Sequence, residues 1–221
     1  MSPSLQTLEN PVTSRFEPLP LCLAVLCLLI LGGCGPSYNE FDTSGIVFKD
    51  HLSTNDTPGD KTADLQFTDQ AGKTVPLKSL FGDKHLVLVI TRGYNGQICP
   101  YCATQTARLI ANYKEFTNRG AEVVLVYPIA QPADEPRLAD FTKRALKLDP
   151  GAEAAGAVPF PVLLDVNLAA VDALGIRKDL SKPSTYIFDK TGKLHFAYVS
   201  SSLTDRPSVK ALLEQLDLLK P

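Results

Sequence analysis

The chain predicts an α/β domain, and three observations carry that prediction. Two apolar runs of strand length, Leu86 to Ile90 and Val123 to Tyr127, lie either side of a stretch with helical periodicity. In that stretch Leu109, Ile110, Tyr113 and Phe116 recur at helical spacing. Strand, crossover helix and strand at this length form a right-handed parallel unit, and hairpin-like segments on both sides of it in sequence add antiparallel strands.

In chain order, Leu19 to Leu31 is an apolar run too short to cross a bilayer comfortably, and it ends Leu31-Gly32-Gly33-Cys34. It has the length of a signal-peptide core, so residues 1–33 read as a leader, although Arg15 is its one basic residue against Glu9 and Glu17. Leu-Gly-Gly-Cys resembles the lipobox of bacterial lipoproteins, which implies cleavage before Cys34 and acylation of its thiol. The alternatives are an uncleaved apolar anchor and a small-residue turn that contains a cysteine. Of five cysteines, Cys22 and Cys27 fall inside the leader, so the mature chain would keep Cys99 and Cys102 as thiols. Either form of leader places the protein outside the cytoplasm, on the periplasmic side of a bacterial membrane, where a disulfide persists.

Residues 34–62 are rich in Ser, Thr, Asn, Asp, Gly and Pro and read as a tether, which leaves 63–221 as the folded domain. Leu65-Gln66-Phe67 and Thr74-Val75-Pro76 flank Asp69-Gln70-Ala71-Gly72 as a hairpin, and Leu77 to Phe81 reads as a short helical turn. His85 to Thr91 is almost continuously apolar, which predicts a central strand covered on both faces. The helix after it runs from Ala103 to Asn118 and closes at Arg119-Gly120. Pro136 to Leu148 forms an amphipathic helix with Leu138, Phe141, Ala145 and Leu148 on its apolar side, and Asp149 to Ala157 reads as loop. Pro161 to Leu164 is a brief strand, and Asn167 is placed to cap a helix that ends at Gly175. Thr185 to Asp189 and Leu194 to Val199 form a closing hairpin, and Pro207 opens a C-terminal helix through Leu218.

Twenty-two Lys and Arg against 24 Asp and Glu leave a net charge of −2 and no basic run, which argues against nucleic acid as a partner. The chemistry concentrates in Cys99-Pro100-Tyr101-Cys102, placed between the apolar strand and the following helix. Thiols at this spacing can join into a four-residue ring and reopen. The helix N-terminus favours the thiolate of Cys99, the form that attacks disulfides and peroxides. Pro100 suits the first helical turn, where its missing N–H has no partner to lose. A structural disulfide and metal binding are the other uses of such a pair. Zinc needs four ligands, and His51, His85 and His195 are scattered, so neither a metal nor a cofactor is expected.

Four segments resemble the thioredoxin superfamily, and within it the alkyl hydroperoxide reductase/thiol-specific antioxidant (AhpC/TSA) redoxins. They are Leu65 to Leu77, the strand Leu86 to Thr91 leading through Arg92-Gly93 to the Cys pair, Pro159 to Asp165, and Pro183 to Leu194. The resemblance implies a thioredoxin-like fold, a mixed central sheet with helices on both faces, and a cis-proline at Pro183 facing the cysteines. It departs at one point: peroxiredoxins carry Pro and a Thr or Ser seven and three positions before the peroxidatic Cys, where this chain has Arg92 and Gly96. The Cys-Pro-Tyr-Cys tetrad itself is typical of glutaredoxins. Cys99 is therefore expected to attack a substrate disulfide and Cys102 to resolve the mixed disulfide. Arg92 would supply positive potential or orient a peroxide, or be a solvated loop residue; Tyr101 would lie exposed between the thiols and meet a partner, or pack at the helix start.

The expected activity is a membrane-anchored thiol–disulfide oxidoreductase with an antioxidant role. Its partners would be protein or small-molecule disulfides or hydroperoxides, with a dithiol as electron donor. A thiol peroxidase, in which Cys99 becomes a sulfenate that Cys102 resolves, is the alternative. A copper-handling module that adds His195 to the Cys pair is a third reading.

Overall fold

The computed structural model describes residues 45–62 and 64–219. The expected leader, the lipidation site Cys34 and the first part of the expected tether lie outside these residues. No helix among the described residues is long and apolar enough to cross a membrane.

Strands β1 (Val47–Lys49), β2 (Gln66–Thr68), β3 (Thr74–Pro76) and β4 (His85–Ile90) come first. Helices α1 (Pro100–Ala111) and α2 (Tyr113–Thr117) lead to β5 (Ala121–Ile129), and α3 (Arg137–Leu146) and α4 (Pro150–Ala155) to β6 (Val162–Val166). Helix α5 (Ala169–Leu174) precedes β7 (Arg177–Lys178), β8 (Leu180–Ser181), β9 (Ser184–Phe188), β10 (Leu194–Val199), β11 (Asp205–Pro207) and α6 (Val209–Asp217). Seven strands form the main sheet in the order β10-β9-β4-β5-β6-β2-β3. Strands β4, β5 and β6 run parallel, and the outer strands pair antiparallel, so the sheet is mixed as expected.

Strand β4 is buried from Leu86 to Ile90 because both faces are covered. Val87 and Val89 point into a core built with α1, α3 and α6, whereas Leu86, Leu88 and Ile90 point into a second core with α5. This is the period-two alternation of a strand resolved onto two hydrophobic layers. Strand β5 divides the same way, with Val123, Leu125, Tyr127 and Ile129 on the α1 side and Val124 and Val126 on the other.

Several elements differ from the sequence expectations, each for a local reason. The helix after the Cys pair starts at Pro100 and breaks at Asn112, whose side-chain amide donates to the carbonyl of Arg108 at 2.8 Å and competes with the helical ladder. The stretch read as loop over 149–157 holds α4: Asp149 caps it by accepting from Gly151 N–H at 2.8 Å, and Gly156 ends it at φ 71°. Asn167 does not cap α5. Asn167 and Leu168 are both left-handed, at φ 59° and 60°, and the cap is the buried carboxylate of Asp165, which accepts from the N–H groups of Ala170 (2.8 Å) and Val171 (3.0 Å). Pro207 ends a strand and Ser208 caps the final helix by accepting from Ala211 N–H at 3.0 Å.

The largest difference lies in the stretch assigned to a tether. From residue 45 it carries structure against the domain. Strand β1 pairs in parallel with β11, and Asn55 exchanges two hydrogen bonds with the backbone of Val199. The Leu52 carbonyl accepts from Gln215, and Arg108 stacks on the Phe48 ring at 4.0 Å. Hydrogen bonds hold this segment more than apolar area does, which is why a composition rich in polar residues disguised it.

Replacing Asp165 with Ala strands two buried N–H groups, so unfolding titrations should show a loss of about 2–3 kcal/mol. Asp165→Asn keeps one acceptor oxygen and should lose roughly half as much.

Candidate active site

The Cys pair sits where β4 hands over to α1, at the carboxyl end of the central strand. The connection turns sharply at Gly93, φ 90°, where a Cβ would stand 2.2 Å from the Pro128 carbonyl oxygen. That close approach lets Tyr94 N–H donate to the same carbonyl at 3.1 Å and fastens the loop to β5. Cys99 is the N-cap of α1 and Pro100 its first residue, so Pro100 sits in the first turn as expected while the helix starts three residues before Ala103.

Both cysteines are free thiols. Cys99 is 3% exposed and Cys102 has no exposed surface. Cys99 Sγ accepts from the Cys102 backbone N–H at 3.4 Å. Cys102 Sγ accepts from the Arg92 backbone N–H at 3.3 Å and from a guanidinium nitrogen of Arg206 at 3.8 Å. Arg206 has no exposed surface. Its other bonds go to the carbonyls of Asp205 (2.8 Å) and Ser202 (3.4 Å), and its Nε has no partner among the described residues.

These contacts set the ionisation. Burial drives the Cys102 thiol up, but the hydrogen bond from Cys99, the Arg206 charge and the Arg92 N–H together outweigh it and bring the thiol down to about 6. Cys99 is pushed up, first by its hydrogen bond to Cys102 and then by burial and the neighbouring thiolate charge. The contacts thus favour the thiolate on the inner sulfur and the proton on the outer one. Against the expectation that the helix N-terminus favours the thiolate of Cys99, the cation in contact with Cys102 favours the inner sulfur, since an opposite charge in contact outweighs the partial charge of a helix end. The Tyr127 phenol, buried in the same core, is pushed up by burial and then by the charges of both cysteines.

Arg92 touches Cys102 through its backbone. Its side chain, 13% exposed, lies 3.9 Å from the Asp179 carboxylate and lines a cavity of about 120 Å³ together with Pro183, which is buried. Tyr101 is half-buried against the core, and a Cβ on Gly45 would lie 3.7 Å from its hydroxyl, so it is less exposed than expected. His195 is not brought to the sulfurs. It follows Leu194, which pairs with Phe188, and Phe188 pairs in turn with Leu86 near the start of β4, the sheet end opposite the Cys pair. No group of three His, Cys, Asp or Glu among the described residues could hold a metal ion. Arg206 was missed. It stands 104 positions from Cys102 within a three-residue strand, and no local pattern marks it.

A family model described as AhpC/TSA family matches residues 58–197, which include both cysteines and stop short of β11. Among solved structures, peroxidoxin BcpB from Mycobacterium tuberculosis is 22% identical at a TM-score of 0.51, covering 77% of this chain and 100% of that one. The Xanthomonas campestris bacterioferritin comigratory protein is 17% identical at 0.53, covering 76% and 98%. Reduced Prx3 of Vibrio vulnificus in complex with hydrogen peroxide is 17% identical at 0.54, covering 75% and 99%. These likenesses establish the thioredoxin-like peroxiredoxin fold. No curated protein matches the chain significantly.

Thiolate absorbance of the reduced protein should rise by one thiolate per pair with a midpoint near pH 6. Removing the cation in Arg206→Met should move that midpoint up by about one to two pH units, whereas Arg206→Lys should recover part of the shift.

Proposed function

The chain belongs to the AhpC/TSA family and is an oxidoreductase acting on thiols, and from that premise we propose that it is a thiol–disulfide oxidoreductase working through Cys99 and Cys102. The observation that carries this reading is the geometry of the pair: two free thiols one helical turn apart at a helix N-terminus, the inner one accepting from the Arg92 N–H at 3.3 Å and from the buried Arg206 guanidinium at 3.8 Å.

Cys99 is the less buried sulfur and the one that meets an external disulfide. As it attacks, its proton passes to the Cys102 thiolate, which acts as the base. The substrate S–S bond breaks, a mixed disulfide forms on Cys99, and one substrate thiolate leaves. That thiolate takes the proton from Cys102. Cys102, again ionised beside Arg206, attacks Cys99 Sγ and closes the four-residue ring, releasing the second substrate thiolate, which takes a proton from water. Two electrons pass from the dithiol to the substrate, and an external dithiol restores the pair. Exchange is fastest when the attacking thiol's pKa lies near ambient pH, so a moderate lowering of Cys102 beside Arg206 suits the resolving step.

A peroxide is the second acceptor this family membership favours. Cys99 would then become a sulfenate, releasing an alcohol or water, and Cys102 would condense with it to the same disulfide. An anchor at Cys34 belongs to the same proposal: with a lipidated residue 34, the first strand of the domain, at Val47, lies about a dozen residues from the membrane surface.

Cys99→Ser should abolish turnover with disulfides, and Cys102→Ser should accumulate mixed disulfides visible as a substrate-sized mass increase. Dithiol-dependent consumption of hydrogen peroxide faster than reduction of a small disulfide would make the peroxidase reading the primary one.

A further inference from the structure

The cavity beside the Cys pair has a chemistry that the exchange reaction does not use. It encloses about 120 Å³ and is lined by Arg92, Lys178, Asp179, Ser181, Lys182, Pro183 and the run Ser200 to Leu203. Three of these residues are cationic and one is anionic. Asp179 lies near Arg92, while neither lysine is paired with a carboxylate among the described residues. Ser200 adds an independent observation. It is 3% exposed, and its hydroxyl has no hydrogen-bond partner among the described residues. A buried hydroxyl without a partner is costly unless something occupies the space before it. Its neighbours are committed elsewhere: the Ser181 hydroxyl donates to the Lys182 carbonyl, and Ser201 donates to Asp205.

The lining is fixed to the sulfurs. The Arg92 N–H that donates to Cys102 belongs to the residue whose guanidinium borders the cavity, and the Arg92 carbonyl accepts from Ser181 N–H at 3.2 Å. The Ser200 N–H donates to the Pro183 carbonyl at 2.9 Å, which fixes Ser200 in a wall that this cavity shares with a neighbouring one. At the mouth, β7 and β8 form a hairpin whose single turn residue, Asp179, is left-handed at φ 57° and holds Lys178 beside it.

We propose that this cavity is a subsite for a short carboxylate arm carried by a low-molecular-weight thiol or disulfide substrate. Resting on the exchange reading above, the proposal names its substrate class. The guanidinium and ammonium groups match a carboxylate in charge, and a rotation of the Ser200 side chain would bring its unpartnered hydroxyl to the same ligand. The cavity's volume suits an arm of a few heavy atoms, since a cavity of about 150 Å³ accommodates a benzene-sized ligand. Pro183 and Leu203 in the wall suit the methylene groups between the carboxylate and the sulfur.

Three disulfides of similar length and different charge test it: 3,3′-dithiodipropionate, bis(2-hydroxyethyl) disulfide and cystamine. Oxidation of the reduced protein should be at least about tenfold faster with the dicarboxylate than with the diamine, the size of one charge-assisted hydrogen bond. In Lys182→Gln and in Ser200→Ala that ratio should fall several-fold, with the neutral disulfide nearly unaffected. A second readout needs no reaction: 3-(methylthio)propionate should shift the amide resonances of Ser181 and Ser200 saturably, and 3-(methylthio)propylamine should not. Equal rates across the three disulfides with no saturable shifts would overturn the subsite and leave the exchange activity standing. Saturable shifts in a protein inert to all three disulfides would keep the subsite and overturn the exchange reading.

Discussion

A guanidinium without exposed surface is the constraint around which the functional end of this molecule is organised. Withdrawing a cation from water costs several kcal/mol unless another charge or good acceptors replace the solvent. Arg206 finds two backbone carbonyls and the Cys102 sulfur. The carbonyls are neutral, so the sulfur answers the charge best when it is a thiolate. The same contact therefore stabilises a buried cation and ionises a buried thiol. Neither group is well placed without the other.

Holding Arg206 there is in turn the task of the N-terminal segment. Strand β11 is three residues long, and among the described residues its strand partner is β1 alone. Around the pairing, the Asp205 carboxylate accepts from the Tyr198 hydroxyl (2.8 Å), the Ser201 N–H and hydroxyl, and the Lys49 ammonium (3.0 Å). Those bonds hold the Asp205 carboxyl below its usual range although burial opposes it. Asp50 meets the Ser208 hydroxyl on the other side of β11. An acid clamped by four donors on one side of Arg206, and a cap residue on the other, fix the strand that aims the guanidinium at Cys102. Residues 47–57 and 198–208 thus work as one structural unit, and both lie outside the segment matched by the family model.

What the sequence disclosed follows from the range of the interactions concerned. Strands β4 and β5 and the two hairpins were legible because alternation and turn chemistry are written within ten residues. A helix N-terminus at the Cys pair with Pro100 in its first turn was legible for the same reason, although the helix starts at Pro100 rather than at Ala103. Helix α4 was hidden because Pro-Gly-Ala-Glu-Ala-Ala has almost no apolar periodicity, and its stability comes from a cap at Asp149 and packing of Ala152. The cap of α5 was assigned to Asn167 on residue type, whereas the backbone there turns left-handed and hands the task to Asp165 from the preceding strand. Strand β1 and Arg206 were hidden more deeply, since each is defined by a partner more than a hundred residues away.

The same geometry bears on which acceptor suits the site. Attack on a disulfide and attack on a peroxide begin alike, but they differ in what leaves. A thiolate departs with an ordinary pKa of about 8.5 and needs little help. An alkoxide or hydroxide is a far stronger base and needs a proton or hydrogen-bond donors at the departing oxygen. Three residues before Cys99, where a hydroxyl would be one such donor, stands Gly96, exposed, at φ 74°, with nothing within 4 Å of where its Cβ would be. Arg206 directs its amino group at Cys102, the sulfur away from solvent. The Arg206 and Arg92 N–H donors thus serve the protein's own sulfurs, and a donor for a departing oxygen would have to come from elsewhere, the Arg92 guanidinium being one cation at the cavity.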